Sequence, residues 1–406
     1  MSAPSADHPL DLARMRRERQ QKLTTEMERH DVDALVLMGT GNVHYATGAA
    51  WLTSDAARAH CDPTVAVVTG EGAPHLFTAY PEGVPADLPH DRRHGPLAPE
   101  FAEGVAQLAG VLSDILGTGP VQVGFDELSA AAHEALPRLL PHARAVDAGP
   151  VMAAAKLCKT DDELECIRRA QRLNELAMYE VQAALRPGVR QSDLTGIFLQ
   201  GIFELGATAN GIDPIWQATP PAMAQGPFTV NGDLAFPTPS TDRILRHGDL
   251  VMVDTGVVFE GYCSDFGRTW LAGGVVSPRQ RDQFQRWRDV VQRVVDLVRP
   301  GTTGLELTRA ARRGEPGRRP WLDHFYLAHG LGTESAEMPF VGTDLGEGFD
   351  AGIVLEPGMV LVLEPVIWDD GHGGYRSEDI VAVTDDGYRW MSDFPYLPFD
   401  EGPRPW

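Results

Sequence analysis

The stretch GDLVMVDTGVVFEGYCSDFGRTW, residues 248–270, places two carboxylates beside apolar runs. The run Leu250–Val253 predicts a buried strand, which Asp254 closes. Asp265 follows eleven residues later, beyond a bend that we predict at residues 259–261. Two strands joined by such a bend can lie antiparallel, and this pairing would bring both carboxylates to one place.

Two later segments repeat this combination of apolar runs and isolated polar groups. In MVLVLEPVIWDDGHGGYRSEDIVAV, residues 359–383, Glu364 closes one apolar strand and Glu378 precedes another. In LAHGLGTESAEMP, residues 327–339, His329 lies between small residues. Any one of these acids could have a turn or capping role. Buried carboxylates need a compensating charge, and no cluster of Lys or Arg accompanies the set, so we predict a divalent metal pair. Oxygen ligands with one imidazole suit Mn²⁺, Fe²⁺, Co²⁺ or Zn²⁺.

Composition excludes several classes of partner. The chain has 406 residues, with 35 Lys or Arg against 57 Asp or Glu and a net charge of −22. Nucleic acid and anionic membrane surfaces repel such a chain, so neither is expected as a partner. No apolar run is long enough to span a bilayer, and the N-terminus lacks the apolar core of a secretory signal. Four scattered cysteines fit a reducing compartment, so we expect a cytoplasmic protein.

The chain is predicted to form two domains, residues 1–150 and 151–406. Strands alternate with helices over the first domain, which is typical of a small α/β domain. The boundary is expected near residues 152–159. Thr160 and Glu163 have the spacing of a capping box, which predicts that a long helix begins directly after this boundary.

Two short segments of the second domain resemble each other. They are LRPGVRQSDL, residues 185–194, and VRPGTTGLEL, residues 298–307. Each follows a predicted long amphipathic helix and precedes another helix. Ser192 is expected to cap the helix in the first copy, and Ser277 with Pro278 predicts the start of the long helix before the second copy. The repeat indicates a catalytic region built from two similar halves.

The order of these motifs resembles that of the pita-bread metallohydrolases, the family of prolidase, aminopeptidase P, methionine aminopeptidase and creatinase. The motifs are MERHDVDALVLMGTGNVHYATG (27–48), KTDDELECIRRAQRLNELA (159–177), NGDLAFPTPSTDRILRHGDLVMVDTG (231–256), GYCSDFGRTW (261–270), HGLGTESAEMP (329–339), LEPGMVLVLEP (355–365) and GGYRSEDIVAVTDDG (373–387). Several spaced motifs in order are a specific signal. The resemblance implies a two-domain α/β protein, with a creatinase-like N-terminal α/β domain and a C-terminal pita-bread α+β catalytic domain around a curved antiparallel sheet.

The resemblance also implies two divalent metal ions, with Mn²⁺ expected first. The family's five metal ligands fall on Asp254, Asp265, His329, Glu364 and Glu378. By this resemblance Asp254 would hold one ion, His329 with Glu364 the other, and Asp265 with Glu378 would bridge them. Two ions about 3.5–4 Å apart can bind a shared hydroxide and polarise a carbonyl group. Glu364 would be the catalytic acid/base. Creatinase lacks this metal set, so all five ligands argue against a creatinase activity.

Arg376 and Glu337 are the candidate substrate-binding residues. Arg376 matches a substrate-contacting Arg of aminopeptidase P-like members, and a plain ion pair with a neighbouring acid is an equal alternative. Glu337 belongs to a His-Glu-x-Pro pattern in which Ala336 replaces the His. A second peptidase His is also missing, because residues 235–239 read Ala-Phe-Pro-Thr-Pro around Pro237. One such transition-state donor is worth roughly 3–4 kcal/mol in other enzymes.

Other residues near the motifs could replace the missing histidines. A strand would point His324 away from the face of the metal-binding His, and His372 lies in a loop where a solvated side chain is favoured. The further candidates are His247, Tyr326 and Glu334.

The predicted function is a dinuclear-metal hydrolase of a short peptide or small amide, similar to an Xaa-Pro peptidase. One alternative is a different metalloenzyme on the same scaffold, either a lyase of the dimethylsulfoniopropionate-lyase type or a hydrolase of a non-peptide C–N bond. The missing histidines favour this alternative, whereas the intact spacing from His329 to Glu337 favours the peptidase. A second alternative is a non-catalytic binding protein. A homodimer is expected, because N-terminal domains of relatives often close a partner's active site.

Overall fold

The protein divides into two compact units, Met1–Lys156 and Leu157–Trp406. The structure, a computed structural model, describes residues 9–52, 57, 60, 62–99, 101–222, 240–313, 319–323 and 325–400. In this described part of the chain, no helix is both long and apolar enough to cross a membrane. Residue 150, the predicted domain boundary, lies in the first turn of a helix, Gly149–Leu157.

The first unit is a mixed α/β structure around one six-stranded sheet with strand order β4-β3-β2-β1-β5-β6. Its elements are α1 (Leu12–Arg29), β1 (Ala34–Leu37), α2 (Thr40–Thr47), β2 (Val65–Thr69), β3 (His75–Phe77), β4 (Arg93–His94), α3 (Ala102–Leu116), β5 (Val121–Phe125), α4 (Ala130–Leu139), β6 (Ala143–Asp147) and α5 (Gly149–Leu157). Alternate residues of β1 pack into two different clusters, with Leu35 in one and Val36 in the other. The sheet therefore has an apolar core on both faces.

The second unit begins with two helices and is built around two larger antiparallel sheets. Its elements are α6 (Asp161–Ala184), α7 (Gln191–Glu204), β7 (Ala209–Ala218), β8 (Asp249–Phe259), β9 (Tyr262–Cys263), β10 (Phe266–Ala272), α8 (Pro278–Val295), α9 (Gly304–Ala311), β11 (Ala328–Gly330), β12 (Glu337–Val341), α10 (Glu347–Gly352), β13 (Val360–Leu363), β14 (Ile367–Asp369), β15 (Gly373–Tyr375), β16 (Asp379–Val383) and β17 (Tyr388–Trp390). One sheet has the order β10-β8-β7, with β9 on β8, and the other has the order β12-β11-β13-β16-β17.

The predicted starts of the long helices are confirmed. Thr160 and Glu163 form a capping box at the start of α6, and the Glu163 carboxylate also accepts a hydrogen bond from Tyr262 at 2.7 Å. Ser277 caps α8, with Pro278 at its first position. The hydrogen bond from Tyr262 to Glu163 ties the start of α6 to the hairpin between β8 and β10.

Two local predictions are wrong. Asp254 does not close its strand, because β8 continues to Phe259 and pairs with β7 on one side and with β9 and β10 on the other. Ser192 is not a helix cap, because α7 begins one residue earlier, directly after Arg190. The Ser192 hydroxyl instead donates to Asp242 at 3.4 Å, while Asp193 accepts the backbone N–H of Arg190.

The internal repeat predicted from the sequence is confirmed by equivalent hydrogen bonds. In the first copy the N–H of Gly188 donates to the carbonyl of Leu245 at 2.8 Å, and in the second Gly301 donates to Leu355 at 2.8 Å. The register then makes Asp254 of β8 the counterpart of Glu364 at the end of β13. Each half therefore supplies an acid from an equivalent strand, β8 in the first half and β13 in the second.

The repeat also aligns Gly248 with Gly358, which share a backbone φ of +87°. Gly248 has open space where a Cβ would lie, whereas a Cβ at Gly358 would lie 2.6 Å from the carbonyl oxygen of Lys159.

We expect Gly248→Ala to cost about 1–2 kcal/mol of folding free energy through the left-handed backbone alone. Gly358→Ala should cost more, because the methyl group also overlaps this carbonyl oxygen. Thermal unfolding of both variants tests this order, and equal melting temperatures would contradict the close approach of Lys159 to Gly358.

Candidate metal centre

Asn174 of α6 holds the two strand segments beside the first pair of acids. It is fully buried, and its amide donates to the Thr255 carbonyl oxygen at 2.9 Å and to Ser264 Oγ at 3.0 Å. Thr255 Oγ1 donates in return to Asn174 Oδ1 at 2.9 Å. Since Thr255 follows Asp254 and Ser264 precedes Asp265, one amide fixes the backbone next to both carboxylates.

A second group of contacts joins β10 to the segment that carries Arg376 and Glu378. The N–H of Glu378 donates to the Gly267 carbonyl oxygen at 2.9 Å, and the buried Arg268 donates to the Glu378 carbonyl oxygen at 2.6 Å. The Arg376 N–H donates to Thr269 Oγ1 at 3.1 Å. A Cβ added at Gly267 would overlap the Glu378 carboxyl group, so this close approach requires glycine.

The five predicted metal ligands lie together and are buried. They form two triplets, Asp265–His329–Glu364 and Asp254–Asp265–Glu378. Within each triplet, one ligand atom of each residue lies within 4.8 Å of the others. Asp265 belongs to both triplets, as expected of a residue that bridges two ions.

A hydrogen bond to the backbone of the next residue orients the His329 imidazole. Its Nδ1 lies 2.7 Å from the Gly330 carbonyl oxygen, so this nitrogen carries the hydrogen. Nε2 then points at the acids, 3.2 Å from Asp265 Oδ2 and 2.8 Å from Glu364 Oε1. Nε2 is therefore the atom that this residue can offer to a cation.

Arg376 lies among the acids and is their main protein countercharge. Its guanidinium is 2.9 Å from Asp254 Oδ2 and 2.6 Å from Glu364 Oε2, and it also contacts Glu378. Arg376 follows β15 and pairs with these acids, as its ion-pair alternative predicts, although a single arginine is not a cluster of basic residues. One guanidinium cannot neutralise four ionised carboxylates, so the ionised cluster needs further positive charge.

Two carboxylate oxygens of the cluster indicate where a cation could bind. Asp254 Oδ1 and Glu378 Oε2 are buried and have no hydrogen-bond partner among the described residues. Buried carboxylate oxygens are rarely left in this state unless an ion or water binds them. Both atoms belong to the second triplet, so the donor set fits hard divalent cations.

Burial and the neighbouring charges both shift the pKa values of the candidate metal ligands. Burial raises the pKa of Asp254 to about 6, with Arg376 opposing the shift. Burial also raises the pKa of Glu378 well above its usual value. Burial would raise the pKa of Glu364 as well, but the Arg376 charge and the hydrogen bond from His329 lower it to about 2. Burial would lower the pKa of His329, but its hydrogen bonds to Asp265 and Glu364 raise it to about 10.

The cluster opens onto a cavity of about 420 Å³. Four of the five candidate ligands and Arg376 line it, together with residues that the sequence did not single out. The additional lining residues are Ile212, Asp213, Ile215, Phe325 and Ser335, with Tyr326 and Ala336. Asp213 and Asn174 have no motif that identifies them, and only the fold shows that they are close to the acids.

The other sequence candidates have different positions. Glu337 forms a buried ion pair with Lys159 at 2.8 Å. His247 and His372 are exposed. Pro237 and His324 lie outside the described residues, so the segment with the missing peptidase His has no structural description.

Comparison with known proteins identifies the family. The model for metallopeptidase family M24 matches residues 165–385, and the creatinase/prolidase N-terminal domain matches residues 19–158. The uncharacterized peptidase YqhT of Bacillus subtilis is 25% identical over 381 residues, which are 92% of this chain and 98% of that protein. The Xaa-Pro dipeptidase of Lactobacillus helveticus is 31% identical over 270 residues, which are 65% of this chain and 68% of that protein.

The fold matches solved prolidase structures. The prolidase of Pyrococcus horikoshii aligns with a TM-score of 0.72 at 21% identity, over 94% of this chain and 99% of that chain. The chain therefore belongs to metallopeptidase family M24 and carries a creatinase/prolidase N-terminal domain. The predicted pita-bread family and its two-domain α/β fold are confirmed.

Asn174→Leu should weaken metal binding, because it releases the backbone beside Asp254 and Asp265. Residues that orient metal ligands typically contribute about 10–100-fold to affinity. Gln171→Leu is the matched control, since Gln171 is buried on the same helix and donates to Glu175 instead. Calorimetric titration with Mn²⁺ measures the effect. Equal affinities in the two variants would contradict the positioning role of Asn174.

Proposed function

We propose that this protein is a dinuclear-metal hydrolase of short peptides, with Xaa-Pro dipeptides as the first substrate class. The observation that carries the proposal is the pair of buried triplets that share Asp265 beside a cavity large enough for a dipeptide. Membership of a metallopeptidase family supports a hydrolytic reaction. The Xaa-Pro specificity rests on relatives such as the Lactobacillus helveticus dipeptidase.

We propose that Asp254, Asp265, His329, Glu364 and Glu378 hold the ions, with Mn²⁺ first and Fe, Co or Zn as alternatives. The bound ions would lower the pKa of a water molecule and polarise the substrate carbonyl. Glu364 is ionised at neutral pH in the metal-free chain, since its pKa is about 2. Its carboxylate would take the proton of the attacking water as the reaction proceeds. It would return this proton to the leaving nitrogen.

Arg376 has two roles under this proposal. Its guanidinium neutralises part of the negative charge of the acids, and its position in the cavity wall allows it to contact a substrate carboxylate. Glu337 is a weaker candidate for substrate contact, because its carboxylate is paired with Lys159. We propose that this pair supports the turn between β11 and β12, which carries Ala336 and follows the strand of His329.

Turnover of the Mn²⁺-loaded protein on Xaa-Pro dipeptides and on tripeptides that begin with Xaa-Pro tests the reaction. Release of the N-terminal amino acid is the expected result, and the ratio between the two lengths gives the length preference. A metal-replete protein that releases nothing would contradict the peptidase proposal. The search would then turn to small non-peptide amides and to eliminations.

Asp265→Asn and Glu378→Gln should abolish both turnover and metal retention, because each removes a charged oxygen ligand. Asp282→Asn is the control, since this acid is two-thirds exposed on α8 and pairs with Arg286. Elemental analysis after gel filtration measures the metal. Unchanged turnover in either ligand variant would contradict the metal mechanism. A protein that holds no metal, and in which Asp265→Asn changes only stability, would instead be a binding protein.

Metal binding should release protons at pH 7.5. The pKa of His329 is raised to about 10 in the metal-free chain, so the imidazole is protonated at this pH and must lose a proton before Nε2 can bind an ion. The raised pKa of Glu378 acts in the same direction. Apparent Mn²⁺ affinity should therefore rise with pH. Calorimetry in two buffers of different ionisation enthalpy counts the protons, and a count of zero would contradict this ligand set.

The homodimer and the cytoplasmic location stay predictions. Light scattering at working concentration tests the first, and a monomer would contradict it.

A further inference from the structure

Tyr326 forms part of the cavity wall next to His329. Its ring lies 5.3 Å from the His329 ring, edge to face, and stacks on Phe325 at 4.6 Å between centroids. A third ring, Phe340, lies 6.1 Å away. Three aromatic contacts fix the direction of the side chain, so its hydroxyl has a defined position.

The Tyr326 hydroxyl has no hydrogen-bond partner among the described residues, and the side chain is partly buried in the cavity wall. A tyrosine phenol ordinarily has a pKa of about 10, so this hydroxyl can donate a hydrogen bond at neutral pH. Tyr326 lies beside His329 and lines the same cavity as the candidate metal ligands, so it is close to the place where the substrate carbonyl would be polarised.

The cavity otherwise offers few donors. Ala336, where peptidase relatives carry a His, presents only a methyl group, and the described histidines at 247 and 372 are exposed. The Nε and Nη2 groups of Arg376 already donate to three carboxylates. Ser335 has the only other hydroxyl among the residues described as lining this cavity. A tetrahedral oxyanion needs a donor at a fixed position, and the clamped phenol meets this need better than a short side chain in a turn.

We propose that the Tyr326 hydroxyl donates a hydrogen bond to the scissile carbonyl oxygen as the oxyanion forms. It would thereby take over the task of an imidazole that this chain lacks. The inference rests on the proposed hydrolase function. No proton is transferred, because the phenol only shares its hydrogen with the developing negative charge, and the proton of the attacking water goes to Glu364.

Tyr326→Phe tests the inference, because Phe keeps the ring contacts and removes only the hydroxyl. One oxyanion donor contributes about 100-fold or more to kcat in other hydrolases, so a loss of about 100-fold is expected with little change in KM. Tyr179→Phe is the matched control, since this tyrosine is exposed on α6. Bound Mn²⁺ should be unchanged in both variants, which separates the role of the hydroxyl from a merely structural one.

Inhibitor binding gives a second readout that needs no turnover. A phosphinic dipeptide analogue carries a tetrahedral anion in place of the amide, and it should bind Tyr326→Phe about 100-fold more weakly than the wild type. Free proline, which has no such group, should bind both equally. A wild type that neither hydrolyses Xaa-Pro peptides nor binds the phosphinate would overturn the proposed function itself.

Two outcomes would overturn only the role of Tyr326. One is a Tyr326→Phe protein with kcat and phosphinate affinity within twofold of the wild type. The other is a loss of both in Ser335→Ala without a loss in Tyr326→Phe, which would assign the oxyanion to the serine.

Discussion

The central constraint of this molecule is the burial of four carboxylates around one guanidinium and one imidazole. Removing such charges from water costs far more than one Arg376 can return, so the cluster persists only if the surrounding fold forces it together and cations balance it. The opposed pKa shifts of Glu364 and Glu378, one lowered and one raised, result from this crowding. The mutual repulsion of the acids is opposed by backbone contacts from Asn174, Arg268 and Gly267.

The internal repeat explains how one chain collects these groups. Each half has two helices followed by a sheet, and one central strand of each sheet, β8 or β13, brings an acid to the same cavity. Asp254 and Glu364 therefore occupy equivalent positions. Asp265 and Glu378 each precede the next strand of their sheets, β10 and β16. The two halves differ at the imidazole. Register makes Gln217 of β7 the counterpart of His329, so only the second half supplies a nitrogen ligand.

Much of this arrangement can be predicted from the sequence because the acids end or precede apolar runs, and such a pattern is unusual without a compensating ion. The helix starts at Thr160 and Ser277 are likewise predictable, since they depend on residues close together in the chain. An ion pair of Arg376 with a nearby acid is predictable too, but its contacts with Asp254 and Glu364 are not, because these acids are distant in the chain. The role of Asn174 is not identifiable from the sequence either, because it depends on contacts across the fold. Tyr326 is one of several candidates in the sequence, and only the contacts of its ring distinguish it from His247.

The number of metal ions bound per chain is the most direct test of a dinuclear centre. The wild-type protein would be loaded with Mn²⁺, passed through gel filtration at neutral pH, and analysed for manganese per chain. We predict two tightly held ions per chain, because two triplets share Asp265. One ion or none in the intact folded chain would contradict the dinuclear centre on which the rest of the account depends.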